Sequence, residues 1–527
     1  MNLELSKIIE LVNRKEYQKA LELIKEPLKS NPRSFPLNKI LAVILMAQEK
    51  FNSALAAFNK CFEIKQNDYD VNVNIAFILI KVQDYKNALK FCEYAIKADI
   101  NRPEVYHNFA NCYLYIFDLE KAEKNILKSI ELRGGLSSKD IFKFKDTLNI
   151  YTDILLANGD TEKFKEVSIN LLNRKVFFGD MFRKVLRHDR QNITQEHIKT
   201  LYASLDNIDD KKSLISRNLT KASIYSCLAE YYNKIDKKKS ENYYLQSNEL
   251  IINTHRSSLY ESQNFTNKII KISNLLNNDD HSINNSENRG DGLIFIIGMP
   301  RSGTTLLESI VSTADDCIAG GEKVFFPVHC QSIIKKFPQQ EIDKSLFKTL
   351  GQGYLDLIEI QKKNHKYFID KLPENYLYYD FIRNSLPAAK FIHIKRDPWD
   401  NAISIFKSNF MKELFYASSF FGIALQYANY EHLLTKWKSK KNNNILEINY
   451  EDLVSNTQEC IDKIWSFCNL QGEYVENERK KHFAQTASKQ QVSQSIYSSS
   501  LKKSEFEEYK EEFFKNLELQ RNYWNNQ

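Results

Sequence analysis

The sequence predicts a multidomain protein: an N-terminal all-α array of helix pairs, then an α/β domain built on a central parallel sheet. Three observations carry this expectation. An alanine returns at a fixed interval through the first quarter of the chain. Short apolar runs alternate with helical stretches in the second half. The first of those runs leads into a turn bracketed by glycines that opens a helix.

At 527 residues the chain is too long for a single core. Its apolar fraction of 43% is compatible with globular folding, and only 14 glycines and 10 prolines imply a helix-rich chain with few tight turns. The formal charge of +7 suits an anionic small molecule but argues against nucleic acid, which needs a concentrated basic face. The eight cysteines form no C-x-x-C pair, and Cys61, Cys92 and Cys112 fall in helical apolar patterns as small buried hydrophobes. No disulfide framework is expected, in keeping with a reducing compartment. The opening segment MNLELSKIIELVNRKEY carries charges inside its apolar stretch and lacks a signal-peptide core. The apolar run LIFIIGM is strand-sized, and no membrane span is expected. A cytoplasmic protein is the expectation.

Ala20, Ala54, Ala88 and Ala122 stand 34 residues apart, each three residues after a bulky side chain: Tyr17, Phe51, Tyr85 and Leu119. A small residue lets antiparallel helices approach, and the bulky one fills the gap beside it. Asn31-Pro32 and Arg102-Pro103 mark turns between units. The pattern resembles the tetratricopeptide repeat over about residues 1–133. A further unit, LLANGDTEKFKEVSINLL, has Phe164 where alanine is expected and takes the array to residue 174. Residues 175–272 read as further helices without the period. The polar stretch NNDDHSINNSENRGDG makes 273–291 a linker and domain boundary, leaving 292–527 for the α/β domain. The resemblance implies a groove that holds a peptide or protein partner; the alternative is that the helices only pack on the enzyme domain.

In the second half LIFII, KYFID, KFIHIK and NILEINY are strand candidates, and TTLLESIVS, NYLYYDFIRNS, WDNAISIFKSNF and NTQECIDKIWSFC are helical. The first strand runs into Gly298-Met299-Pro300-Arg301-Ser302-Gly303-Thr304-Thr305. Such a turn aims backbone N–H groups and a helix N-terminus at an anion. A nucleoside-triphosphate loop would read G-x-x-x-x-G-K-[ST]. Here Thr304 takes the lysine position and the positive charge is Arg301, inside the loop, which argues against triphosphate hydrolysis.

Pro300, Arg301, Ser302, Gly303, Thr304 and Thr305, following a strand, resemble the P-loop-like phosphosulfate-binding loop of sulfotransferases, which use 3′-phosphoadenosine 5′-phosphosulfate (PAPS). The family's second element is a strand-end arginine and a later serine that hold the ribose 3′-phosphate. Arg396 and Ser404 in IHIKRDPWDNAISIF match it. Arginine offers phosphate a planar fork, and eight residues of helix are a little over two turns, so the serine returns to nearly the same side. Gly321-Glu322 resembles the glycine–glutamate carrying the catalytic base of protein-tyrosine sulfotransferases; an acceptor hydroxyl must lose its proton as it attacks sulfur. Asp315 and Asp316 are nearby competitors for that role, and Lys323 is placed to tune the acting carboxylate. Lys371, in FIDKLPEN, resembles the lysine that stabilises the leaving phosphate oxygen, and the resemblance gives Arg301 a catalytic share in neutralising that phosphate. Tyr450 matches a strand-end tyrosine of the family, with a core tyrosine as the alternative. The stretch TASKQQVSQSIYSSSLKK resembles the nucleotide-covering loop, with Ser488, Gln491-Val492 and Lys503 in place. The basic residue expected after Gln-Val is absent, since Ser493 and Gln494 stand there.

The resemblance spans about residues 292–510. With the array, the whole chain is similar to bacterial tetratricopeptide-containing sulfotransferases, nearest the protein-tyrosine type. It implies sulfuryl transfer from PAPS, as co-substrate, to an acceptor hydroxyl: a protein tyrosine, or a saccharide, lipid or small alcohol. No metal is implied, and His393 and His329 read as structural histidines. Two rivals stand beside this. A nucleotide kinase would need the loop lysine and a strand-end aspartate, of which Asp370 supplies only the second. A scaffold with an inactive enzyme domain would not need Arg301, Glu322, Lys371, Arg396 and Ser404 together.

Overall fold

The 34-residue period becomes four helix pairs in the computed structural model of the chain: α1 (Asn2–Asn13) with α2 (Tyr17–Ser30), α3 (Phe35–Ala47) with α4 (Phe51–Ile64), α5 (Tyr69–Lys81) with α6 (Tyr85–Ala98), and α7 (Pro103–Tyr115) with α8 (Leu119–Leu132). The second helix of each pair begins on the bulky residue, and the alanine three residues later has no exposed surface. The turns repeat as well. Lys15, Glu49, Gln83 and Phe117 take left-handed backbone with φ between 58° and 65°. The next residue then donates its N–H five residues back, as in Glu16 to Leu11, Lys50 to Leu45, Asp84 to Leu79 and Asp118 to Tyr113, all at 2.8–2.9 Å. This satisfies a terminal carbonyl of the first helix and reverses the chain without glycine.

The structure describes residues 2–176, 179–208, 214–254, 256–278, 288–339, 342–343, 345–408, 410, 414–438, 444–476, 479 and 504–526. By its internal contacts the chain forms two units, Met1–Asp160 and Thr161–Gln527. Among the described residues no helix is long and apolar enough to cross a membrane. All eight cysteines are unbridged.

The second unit is organised by five parallel strands: β1 (Leu293–Ile297), β2 (Cys317–Ala319), β3 (Tyr367–Asp370), β4 (Lys390–Lys395) and β5 (Ile445–Asn449), in the order β2-β3-β1-β4-β5. Strand residues alternate between faces, and both faces are buried. Leu293, Phe295 and Ile297 point into one core with Phe368 and Phe391; Ile294 and Ile296 point into the other with Ile369, Ile392 and Ile394. The helix Arg256–Asn278 contributes Ile269, Ile270 and Ile272 to the first core, and Ala229 and Tyr244 join it from the two preceding helices. The helical region ahead of the sheet therefore shares the sheet's core. Ser273 bonds Asp380, so the polar stretch after residue 272 begins as packed helix; residues 279–287 lie outside the described residues.

Two elements differ from expectation. β2 is a three-residue edge strand, too short to show alternation in sequence. The segment NYLYYDFIRNS is not one helix: a 3₁₀ turn over Pro373–Tyr378 precedes the helix Tyr379–Ser385. Chain order reverses at β1, with β3 on one side and β4 on the other. In open parallel sheets that switch point leaves a crevice at the carboxyl ends of the strands.

Candidate active site

The loop Gly298–Gly303 sits at this switch point. Gly298 N–H donates to Pro373 O (3.1 Å), joining the loop to the segment after β3. Ser302 N–H donates to Met299 O (3.2 Å), closing a tight turn that puts Arg301 at φ +65°. This is the left-handed backbone that also serves the turns of the helix pairs, and here it lets the loop reverse tightly between β1 and the helix. Gly303 at φ +109° caps the helix Thr304–Val311, and a Cβ there would lie 2.4 Å from the Tyr450 ring. Thr304 and Thr305 are buried at the helix start. The Ser302 hydroxyl is buried with no hydrogen-bond partner among the described residues. Leaving such a group unmade costs about 1–3 kcal/mol, so it fits a site that an anion completes.

Arg396 follows β4 and turns back over the loop. Its Nη1 donates to Arg301 O (3.2 Å), and its guanidinium lies 4.6 Å from the centroid of the Tyr450 ring. Arg301, Gly303, Arg396 and Tyr450 thus form one patch. Asn401, fully buried on the helix Pro398–Phe406, donates Nδ2 to Pro300 O (2.9 Å). The Tyr427 hydroxyl lies 3.1 Å from Arg396 O and 3.2 Å from Asn401 Oδ1, bracing both. Ser404, also buried, is one turn beyond Asn401 and so on the helix face turned to the loop. Sequence reasoning missed Asn401 and Tyr427. Their part depends on contacts across 101 and 26 residues, and only the position of Asn401 just after Arg396 could have signalled it.

A second group lies where β2 and β3 end. Lys371, with no exposed side-chain surface, holds Glu322 at 2.6 Å; Glu322 is 38% exposed. Glu308, from the helix after the loop, is buried, accepts Gly321 N–H at 3.0 Å and lies 4.0 Å from Lys371 Nζ. Lys323 is buried in the same group, and burial pushes its ammonium down to about 8 against the pull of Asp370, Glu308 and Glu322. Asp370 accepts from Tyr354 Oη (2.8 Å), Leu372 N (3.1 Å) and Lys323 N (3.4 Å), and burial pushes it up to about 7. Its carboxylate is already engaged by protein donors. Glu308 was also missed, although a glutamate within the apolar run TTLLESIV was a visible signal.

Asp315 and Asp316 precede β2 and Glu322 follows it, so the two aspartates sit at the opposite edge of the parallel sheet from the loop. His393 is fully buried between Glu447 (3.2 Å) and the Tyr430 hydroxyl; His329 is 2.9 Å from Phe325 O and stacks on that ring. Both rings are held by these neighbours. Ser488, Gln491 and Lys503 lie outside the described residues.

Residues 294–474 match the family model described as "Sulfotransferase family", and residues 40–68 and 103–135 match "Tetratricopeptide repeat". An uncharacterised protein of Aquifex aeolicus is 33% identical over 227 residues, covering 40% of this chain and 30% of that one. A TPR repeat-containing protein of Methanocaldococcus jannaschii is 24% identical over 285 residues, 50% of this chain and 48% of that one. The chain spans less than half the length of either relative. Among solved structures, a sulfotransferase from Alicyclobacillus acidocaldarius aligns with 15% identity, 45% of this chain, 99% of that one and a TM-score of 0.26. By the two family models, the polypeptide joins segments that match tetratricopeptide repeats to a segment, residues 294–474, that matches the sulfotransferase family.

Proposed function

We propose that the protein transfers a sulfuryl group from PAPS to an acceptor hydroxyl. The observation that carries this is the meeting, at one edge of the sheet, of a lysine-free anion loop with the Glu322–Lys371 pair at 2.6 Å. PAPS, when bound, supplies an activated sulfuryl group whose transfer breaks the bond to the 5′-phosphate oxygen. In this reading Arg301, the loop amides and the Ser302 hydroxyl bind the 5′-phosphosulfate, with Thr304 and Thr305 at the helix start. Arg396 and Ser404 bind the 3′-phosphate, and Tyr450 fixes the guanidinium plane. Glu322 accepts the acceptor's proton on a carboxylate oxygen. Lys371 has three N–H donors, so it holds Glu322 and still offers charge to the phosphate oxygen.

We place a protein tyrosine first as acceptor, because Gly321-Glu322 resembles the protein-tyrosine enzymes and the repeats offer a peptide a surface. Saccharide, lipid and small-alcohol hydroxyls are the acceptors to test beside it. The test of the donor reading is ligand-dependent melting. The 3′,5′-bisphosphate product at about 100 times its dissociation constant adds about 2.7 kcal/mol and raises the melting temperature. ATP with magnesium adds little, and Arg396→Ala removes most of the bisphosphate effect. Stabilisation by ATP–magnesium and not by the bisphosphate sinks the reading.

A further inference from the structure

Glu308 lies one turn inside the helix that the phosphate loop opens, with 2% of its side chain exposed. An ionised carboxylate in such a place needs partners. Beside the charge of Lys323, it meets the Gly321 amide at 3.0 Å and, at 4.0 Å, the Lys371 ammonium. Gly321 is held on its other side too, since Lys371 N–H donates to Gly321 O at 2.9 Å. The turn before Glu322, at φ +69° on Gly321, is therefore clamped between the loop helix and the end of β3.

From this geometry we infer that Glu308 is a positioning residue: it fixes the Gly321–Glu322 turn and the Lys371 ammonium relative to the phosphate loop. Its consequence for turnover rests on the transfer reading above; the clamp itself does not. Without the Glu308 charge, Lys371 keeps Glu322 as its carboxylate in the group and its direction is no longer divided between the two. Without any acceptor at Glu308, the Gly321 amide is released.

The test uses the full chain and two readouts. In the protein without added nucleotide, hydrogen exchange at the Gly321 amide accelerates at least tenfold in Glu308→Ala. It changes little in Glu308→Gln, whose amide oxygen still accepts. Second, donor hydrolysis, with water as acceptor, falls at least tenfold in Glu308→Gln while affinity for the 3′,5′-bisphosphate stays within threefold. In a Lys371→Ala background the same change adds less than twofold, as expected when one residue acts through the other. Unchanged exchange in Glu308→Ala overturns the clamp. A full additive loss in the Lys371→Ala background, or a loss of affinity equal to the loss of rate, overturns the positioning role. If Glu308→Gln does not fold, Glu308→Asp keeps the charge on a shorter arm. Slower hydrolysis with faster Gly321 exchange then supports the inference, and wild-type values in both overturn it. Wild-type protein that does not bind the bisphosphate overturns the proposed transfer and the catalytic part of this inference; the exchange result still decides the clamp.

Discussion

Asp370 and Lys323 bury opposite charges beneath the candidate site, with Glu308, Glu322, Lys371 and Tyr354 around them. Burial disfavours both charged forms, raising the carboxyl and lowering the ammonium. The signs give opposite slopes. Asp370 is raised from 3.8 to about 7, so its contribution to stability is complete below pH 4 and is lost as pH rises through 7. Lys323 is lowered from 10.5 to about 8, so its contribution is complete above 10.5 and is lost as pH falls through 8. Both are therefore least favourable between pH 7 and 8. Replacing Asp370 by Asn removes the first slope. Denaturant unfolding at pH 5, 6 and 7 should show the variant gaining on wild type as pH rises, by up to about 1.4 kcal/mol per pH unit. A difference independent of pH would mean that Asp370 is ionised throughout. At this scale the sequence made the loop, Arg396, Lys371 and Tyr450 legible because they stand at strand ends in recognisable order. Asn401 and Tyr427 were hidden because they act on backbone groups 101 and 31 residues away, whereas Glu308 was visible as a charge in an apolar run while its partners Gly321 and Lys371 were not.

Elements were most legible where a period was long. The alanine spacing revealed four repeated units because the same packing constraint recurs in every helix pair, down to the left-handed residue at each turn. β2 escaped because three residues carry no period, and the Pro373 turn escaped because its aromatic residues also fit a helix. The alanines make a prediction of their own. Ala88 has no exposed surface and packs in the cluster that holds Ala54, Phe58 and Ile75. Ala88→Leu forces extra methyl groups into that contact and should cost about 1–3 kcal/mol. The exposed Lys90→Leu on the same helix should stay within about 0.5 kcal/mol. Equal effects for the two in chemical denaturation would remove the close-packing account of the period.

For the whole molecule, the array and the α/β domain together set what an acceptor assay must include. Tetratricopeptide repeats and a sulfotransferase-family domain on one chain make a protein acceptor the first to try, with glycan, lipid and small-alcohol fractions as the comparison. The polar segment at 279–287 and the stretch 480–503, which holds Ser488, Gln491 and Lys503, lie outside the described residues. The measurement that bears most directly on the central claim is transfer of ³⁵S-labelled sulfuryl from PAPS by the full chain into fractionated lysate. The account predicts label in one acceptor fraction with wild type, none with Glu322→Ala, and bisphosphate binding by that variant within a few-fold of wild type. Label that persists with Glu322→Ala would contradict the assignment of the base, and no label with wild type in any fraction would contradict the transfer itself.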